Sequence, residues 1–327
     1  MASEVRELIR TYAPAFPIRQ SGRLVHDTSE FMSIDYGDVI AIGGRHYLVL
    51  RDECERRFGL EDPKYWVKRC KELETGKRAI LKLVFHETFP LKLGDFVITC
   101  HRSPIKEARI LNLVLGDERF MQGRTFYDRA GNAVRVLEVI FGRRVDTVVE
   151  AMECDHETYF RHTFPALLDM YLGAVEAIGF LHAHGEQHGD IRRDHLWVEH
   201  GTGHYRWIDF DYAFDFHENP FGLDLFGLGN ILLFLVGKGE HTLRSLAGAR
   251  RTDVLASLTE DDFSLMFAYR VANLRKIFPY IPAELNNVLL HFAAGTYVFY
   301  ETVDELLAAL RPCAALVGQE GAAVTET

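Results

Sequence analysis

Cysteine is scarce in this sequence, and the cysteines that occur lie far apart. The chain of 327 residues has five of them, at positions 54, 70, 100, 154 and 313. Disulfide-stabilised secreted domains instead concentrate paired cysteines within a short chain. The spacing therefore argues against a disulfide framework, and we predict a protein of the reducing cytoplasm.

Long apolar runs are also missing. The most apolar run, ILLFLVG at residues 231–237, is much shorter than the roughly 20 residues needed to span a bilayer. The first residues, MASEVRELIRTYAPAF, carry charges where a secretory signal needs an apolar stretch. We therefore expect no secretion signal and no transmembrane segment.

Basic residues are fewer than acidic residues in this sequence. Lysine and arginine number 37 against 47 aspartates and glutamates, which gives a net charge of −10. This balance argues against nucleic acid as the main partner, although it leaves room for a local basic phosphate site. Apolar residues make up 48% of the chain, enough for a large core, so disorder is expected only at the ends.

The chain divides into segments of different patterning. An N-terminal extension (residues 1–37) precedes a strand-rich region (38–140), a helical region (141–312) and a tail (313–327) predicted to be flexible. In the strand-rich region, DVIAIGGRHYLVL predicts a hairpin turned at Gly43-Gly44, and YWVKRCKELETGKRAILKLVF predicts a second hairpin turned at ETGK. SPIKEARILNLVLG opens with a serine cap and predicts one helix there.

Helical periodicity dominates the second half. The segments FPALLDMYLGAVEAIGFLHAHG and GLDLFGLGNILLFLVG predict two helices, and PAELNNVLLHFAAGTYVFYETVDELLAALRP predicts a helix pair. The fold class is therefore α+β, with a small antiparallel-sheet lobe holding one main helix and a larger helical lobe. Ligands favour the junction between such lobes, so we expect a binding cleft there.

One lysine of the strand-rich region is expected to point inward. In RAILKLVF, strand alternation places Lys82 on the same face as Ile80 and Val84. A buried ammonium needs an anionic partner, and Glu107, near the start of the predicted helix, is the candidate. The alternatives are a solvated strand lysine and an exposed acid in a first helical turn, where the helix dipole favours it.

Two aspartates lie beside short strands of the second half. Asp190 precedes HLWV, and Asp209 lies in WIDFDYAF, where alternation places it on one strand face with Trp207 and Asp211. An inward lysine with two such aspartates suits polyphosphate chemistry. The lysine would hold phosphate oxygens, one aspartate would hold Mg²⁺, and the other would orient an attacking hydroxyl.

These segments together resemble the protein-kinase-like fold. ETGKRAILKLV resembles the strand with the ATP-anchoring lysine, Lys82, and IKEARIL resembles the helix with its glutamate partner, Glu107. HGDIRRDHLWV resembles the catalytic loop, and IDFDYA resembles the Asp-Phe-Gly segment. DLFGLG, beginning at Asp224, resembles the helix whose aspartate braces the catalytic loop. The resemblance extends over roughly residues 38–312, with the motifs in the family's order.

The resemblance implies roles for further residues. Asp190 would be the catalytic base, Arg192 would contact phosphate, and Asp209 would hold the metal of bound ATP. The adenine is expected to meet backbone in VLEVIFG, around Glu138 and Ile140. ATP with Mg²⁺ or Mn²⁺ is therefore the expected cofactor set.

The sequence departs from the family pattern at several points. The stretch that should hold the glycine-rich loop contains one glycine, Gly59, which predicts a looser backbone approach to phosphate. His195 replaces a metal-binding asparagine, which favours Mn²⁺ over Mg²⁺ and also resembles lipopolysaccharide-core sugar kinases. Asp211 replaces a glycine and is a candidate additional metal ligand. Only a short segment separates Asp209 from Asp224, too short for the usual peptide-docking shelf.

Three functions stay open at this point. The helical lobe favours a divergent bacterial-type serine/threonine kinase that transfers the γ-phosphoryl group to a hydroxyl. The missing peptide shelf favours a sugar or other small molecule as acceptor. The sparse glycines and His195 favour a pseudokinase that binds or scaffolds without turnover. No motif places the histidines of HAHGEQH (residues 182–188) on one face, and we expect them to be structural or exposed and not zinc ligands.

Overall fold

The computed structural model describes residues 2–57, 60–93, 96–215 and 218–325. The chain forms two compact units. The first unit contains Met1–Glu87 and Arg102–Ile140, and the second contains Thr88–His101 and Phe141–Thr327. The first is built mainly of strands and the second mainly of helices, which confirms the predicted α+β class.

The secondary structure follows in chain order. The strands are β1 (Leu24–Val25), β2 (Val39–Ile42), β3 (Arg45–Arg57), β4 (Leu60–Glu72), β5 (Arg78–Lys82), β6 (Thr88–Leu93), β7 (Phe96–Arg102), β8 (Gly123–Tyr127), β9 (Ala133–Glu138), β10 (Gly142–Arg144), β11 (Leu196–Glu199), β12 (Tyr205–Trp207) and β13 (Tyr212–Asp215). The helices are α1 (Ala2–Tyr12), α2 (Pro104–Leu113), α3 (Val145–Glu150), α4 (His156–His162), α5 (Phe164–Ala183), α6 (Gly222–Gly237), α7 (Leu243–Gly248), α8 (Thr252–Ser257), α9 (Ala283–Leu290) and α10 (Val303–Thr325).

The first unit contains a sheet of seven strands in the order β1-β2-β3-β4-β5-β9-β8. Both predicted hairpins are present. Gly43 and Gly44 form a two-residue turn between β2 and β3, with φ of 59° and 73°. Glycine adopts this conformation without the steric cost that a side chain would add, so the turn fixes the register of the hairpin.

The N-terminal residues pack on this sheet. Val5 and Ile9 of α1 are fully buried and belong to one apolar cluster with Leu24, Val39 and Leu48. Strand β1 pairs in parallel with β2. The structure thus places most of residues 1–37, which the sequence set apart as an extension, within the first unit.

Helices α5 and α6 form the buried centre of the second unit. The Tyr171 hydroxyl of α5 donates to the Leu228 carbonyl of α6 at 2.6 Å. Gly227 allows close packing, because a Cβ added there would lie 2.6 Å from Cβ of Ile191. Among the described residues, α5 alone is long and apolar enough by length and composition to cross a membrane, and half of its apolar window is buried in the structure.

A hairpin inserted between β5 and α2 belongs to the second unit. Its strands β6 and β7 form a three-stranded sheet with β13, in the order β13-β7-β6. Ile98 and Cys100 of β7 are buried in one cluster with Phe214 of β13 and Leu223 of α6. The hairpin therefore supports the strand that follows Asp209.

The structure differs from the sequence expectations at two places in this unit. YRWIDFDYAF is not one strand, because β12 ends at Trp207 and β13 begins at Tyr212. Residues 313–325, predicted as a flexible tail, are helical, because α10 continues to Thr325. Cys313 and Val317 explain the difference, since they are buried one turn apart and extend the apolar face of the helix.

Candidate active site

Lys82 and Glu107 form a buried ion pair in the first unit. The Lys82 ammonium donates to Oε1 of Glu107 at 2.8 Å. Lys82 is 5% exposed, and Glu107 is fully buried. The Ser103 side chain caps α2 by accepting from the Lys106 backbone N–H, so Glu107 lies in the first helical turn, where the helix dipole stabilises a carboxylate.

Arg135 also binds Glu107. Its Nε donates to Oε2 of Glu107 at 3.0 Å, and the arginine is fully buried. One carboxylate therefore accepts from two cations, with one oxygen bound to each. Sequence reasoning missed Arg135, although strand alternation in AVRVLEV places it on the buried face with Ala133 and Leu137.

In the second unit, Asp224 anchors the loop that carries Asp190. Its carboxylate accepts from the His188 backbone N–H at 2.6 Å, the Gly189 N–H at 2.8 Å and the His182 ring at 3.0 Å. Burial alone would raise the pKa of Asp224, but the donors around it outweigh burial and lower the pKa. The HAHGEQH histidines are thus divided between bracing this loop and the surface, where His184 is exposed.

His195 lies between the two aspartates predicted to carry the chemistry. Its Nδ1 lies 2.9 Å from the Asp190 backbone carbonyl and 3.3 Å from Oδ2 of Asp190. Its Nε2 lies 3.6 Å from Oδ2 of Asp209. Because a carbonyl only accepts, Nδ1 carries a proton in this contact, and Nε2 faces Asp209.

Burial shifts the titration of Asp190. The partly desolvated carboxylate has its pKa raised above the usual value, while nearby His195 and Arg192 oppose the shift. A carboxylate with a raised pKa accepts a proton more readily. The site around Asp190 therefore suits a general base.

Asp209 has an unusual backbone conformation. Its φ is +64°, and Lys238 and Arg250 are the other non-glycine residues with positive φ in the described part of the chain. Lys238 caps the C-terminus of α6, and Arg250 directly follows the C-cap of α7, where left-handed residues are common. Asp209 lies at no helix end. Strain of this kind concentrates at functional sites.

Asp211 is fully buried between Asp209 and β13. It does not share a strand face with Asp209, as the sequence predicted, because residues 208–211 lie outside any strand. A carboxylate oxygen of Asp211 lies within 4.8 Å of one of Asp209, and the His195 ring faces Asp209. This donor set suits a divalent cation such as Mg²⁺ or Mn²⁺.

Arg192 is held by a neighbour that the sequence analysis did not single out. Its guanidinium forms two bonds with the Asp194 carboxylate, at 3.0 and 2.6 Å. Burial would raise the pKa of Asp194, but His195 and Arg192 outweigh it and lower the pKa to about 2. The second aspartate of DIRRD was the available signal, because an acid two residues after an arginine can pair with it in a turn.

The predicted adenine contacts lie at the end of the first unit. Glu138 ends β9, and its backbone N–H donates to the Gln122 carbonyl at 3.0 Å. Ile140 follows outside any strand and is half-buried. Gly59, the single glycine of the expected phosphate loop, lies outside the described residues.

Comparison with known proteins gives similarity at the level of structure. No protein-family model matches the chain, and no curated protein matches it. The chain is similar to two solved structures of the Mycobacterium tuberculosis PknI kinase domain, a double mutant at 14% identity and a single mutant at 13%. Each match covers 84% of this chain and 96% of that chain, with a TM-score of 0.49.

The elements described above appear in the order that the sequence resemblance required. The strand lysine pairs with the helix glutamate. The Asp190 loop is followed by β11, β12 and the Asp209 segment, and Asp224 at the start of α6 holds the backbone of the loop. The chain has a protein-kinase-like fold.

Proposed function

We propose that this protein is a cytoplasmic, ATP-dependent phosphotransferase that moves the γ-phosphoryl group to a hydroxyl. Lys82 holds phosphate oxygens, and Glu107 orients Lys82. Asp190 accepts the proton of the attacking hydroxyl, and Asp209 holds the metal. Glu138 and Ile140 are the proposed neighbours of the adenine.

The observation that carries the proposal is the contact of one imidazole with two functional carboxylates. His195 touches Asp190 through Nδ1 and faces Asp209 through Nε2. Phosphoryl transfer needs a base close to a metal ligand, because the hydroxyl attacks a phosphate that the metal also binds. The raised pKa of Asp190 and the strained backbone of Asp209 fit these two tasks.

Asp209, His195 and Asp211 are the proposed metal ligands. A divalent cation bound there would neutralise charge on the phosphates and on the leaving group. The imidazole tolerates Mn²⁺ better than Mg²⁺, so activity with Mn²⁺ is expected to equal or exceed activity with Mg²⁺. Arg192 is proposed to exchange its Asp194 partner for a phosphate oxygen during the reaction.

The acceptor is proposed to be a serine or threonine hydroxyl, with a sugar or other small-molecule hydroxyl as the second candidate. The second candidate is favoured by the short segment after Asp209, which enters β13 at Tyr212 and reaches α6 at Gly222. That segment leaves little chain for a peptide-docking shelf. Transfer to a metabolite without transfer to protein would select the second candidate.

The test is ATP turnover and radiolabel transfer with Mg²⁺ and with Mn²⁺, in the wild type and in Asp190→Asn. The variant should lose at least about a hundredfold in rate, because it removes the base, while ATP binding persists. The matched control is Asp253→Asn, whose carboxylate is 78% exposed and distant in sequence from the site. Equal turnover in wild type and Asp190→Asn would refute the base assignment. ATP binding without turnover would identify a pseudokinase.

A further inference from the structure

Arg135 lies directly opposite Lys82 in the sheet of the first unit. The two residues are register partners of the antiparallel strands β9 and β5. Like charges at directly opposed positions destabilise a sheet, and burial increases that cost. Glu107 resolves the conflict, since Oε1 accepts from Lys82 and Oε2 accepts from Arg135.

The arginine is fixed independently of the lysine. Besides its bond to Glu107, its guanidinium donates to the Ala133 carbonyl at 2.7 Å and to the Leu83 carbonyl at 3.1 Å. A guanidinium is a planar group with donors in a rigid fork, whereas an ammonium is a single point on a flexible chain. Arg135 therefore binds Glu107 through a rigid group that two backbone carbonyls also hold, whereas Lys82 binds it through the end of a flexible chain.

We propose that Arg135 is a positioning residue, which keeps Glu107 and the start of α2 against the sheet while Lys82 turns towards phosphate. This inference rests on the proposed function. When Lys82 directs its protons to a phosphate oxygen, Glu107 keeps a cationic partner and its buried charge stays compensated. The lysine can then shift without an unpaired carboxylate behind it.

The effect of Arg135 on the affinity for ATP should therefore depend on the presence of Lys82. In Arg135→Met, Glu107 has Lys82 as its cationic partner in this triad and competes with phosphate for it. We expect the KM for ATP to rise about tenfold, while the affinity for adenosine, which has no phosphate, stays at the wild-type value. Arg135→Lys keeps the positive charge and loses the planar guanidinium. Its KM for ATP should therefore lie between the values of the wild type and of Arg135→Met.

A double-mutant comparison separates positioning from a general structural role. In a Lys82→Met background, Arg135→Met should change ATP affinity less than about twofold, because the ammonium group for which Glu107 and phosphate compete is already absent. Lys68→Met is the matched control. Lys68 is a fully buried cation of β4 in the same sheet and pairs with Asp52 at 2.7 Å. Its loss should lower thermal stability and leave the KM for ATP unchanged.

Several outcomes would overturn the proposed role of Arg135. An unchanged KM in folded Arg135→Met would overturn the inference, and so would an equal effect of that substitution with and without Lys82. If Arg135→Met does not fold, a wild-type KM in Arg135→Lys would overturn it in the same way. A wild-type protein that binds no ATP would instead refute the proposed function, together with the inference built on it.

Discussion

Replacing Asp224 by asparagine should destabilise the second unit through one unsatisfied donor. The carboxylate is 1% exposed and accepts three hydrogen bonds, two from backbone N–H groups and one from His182. An asparagine has one acceptor oxygen. If that oxygen takes the place of Oδ2, it can serve His188 and His182, but the new NH₂ group then faces the N–H of Gly189.

The cost follows from that geometry. A buried backbone donor without an acceptor costs about 1–3 kcal/mol, and the bonds that remain lose the strength that a charged acceptor gave them. We expect the free energy of unfolding to fall by about 3 kcal/mol. His182→Ala removes one donor and leaves the carboxylate with both backbone bonds, so its cost should be near 1 kcal/mol.

Urea unfolding followed by tryptophan fluorescence measures the change, because Trp207 is fully buried in the same unit. The pKa shift gives a second signature. The folded pKa of Asp224 lies below its unfolded value, so the stabilisation is complete above the unfolded pKa, near 3.9, and is lost as the pH falls through the folded pKa. In Asp224→Asn, the free energy of unfolding should lack the part that depends on the ionisation of this carboxylate. A variant with the wild-type urea midpoint would refute the reasoning.

Two further predictions concern packing and pH. Burial lowers the pKa of His156 to about 4 although the Val236 carbonyl opposes the shift. Because the unfolded ring takes up its proton near pH 6.5, the stability of the second unit should fall as the pH drops from 6.5 towards 4, and thermal melts should show a flatter decline in His156→Gln. Gly227→Ala should lower the free energy of unfolding by about 2 kcal/mol, since the new methyl group would meet Ile191. A melting temperature equal to wild type would contradict the close approach.

Local patterns were sufficient for part of the site. Alternation in RAILKLVF and a serine cap before α2 predicted that Lys82 and Glu107 both face inward, and the structure brings them together. Each signal is contained in a few neighbouring residues, so sequence alone carries it. Arg135 carried the same alternation signal, but no motif directed attention to a third charge in the pair.

Other features depend on contacts between distant parts of the chain. The break at residues 208–211 and the left-handed backbone of Asp209 go against the strand pattern of WIDFDYAF. They occur where the short strands on either side pair with different partners, β12 with β11 and β13 with β7. Strand alternation describes one continuous strand. It therefore cannot predict the position at which the chain stops pairing with one strand and begins to pair with another. The helical continuation of α10 likewise depends on burial of Val317.

The inserted hairpin also constrains the order in which the protein can fold. The chain enters the second unit at Thr88, returns to the first at Arg102 and leaves it again after Ile140. During synthesis β6 and β7 emerge early, but their partner β13 emerges much later. Until then the apolar side chains of β7 lack Phe214 and Leu223, their buried partners in the folded unit. Exposed apolar surface of this kind is the condition under which a nascent chain recruits chaperones or aggregates. A ribosome that pauses between these strands would prolong that exposure, and neither unit could be made as a separate polypeptide by one cut in the gene.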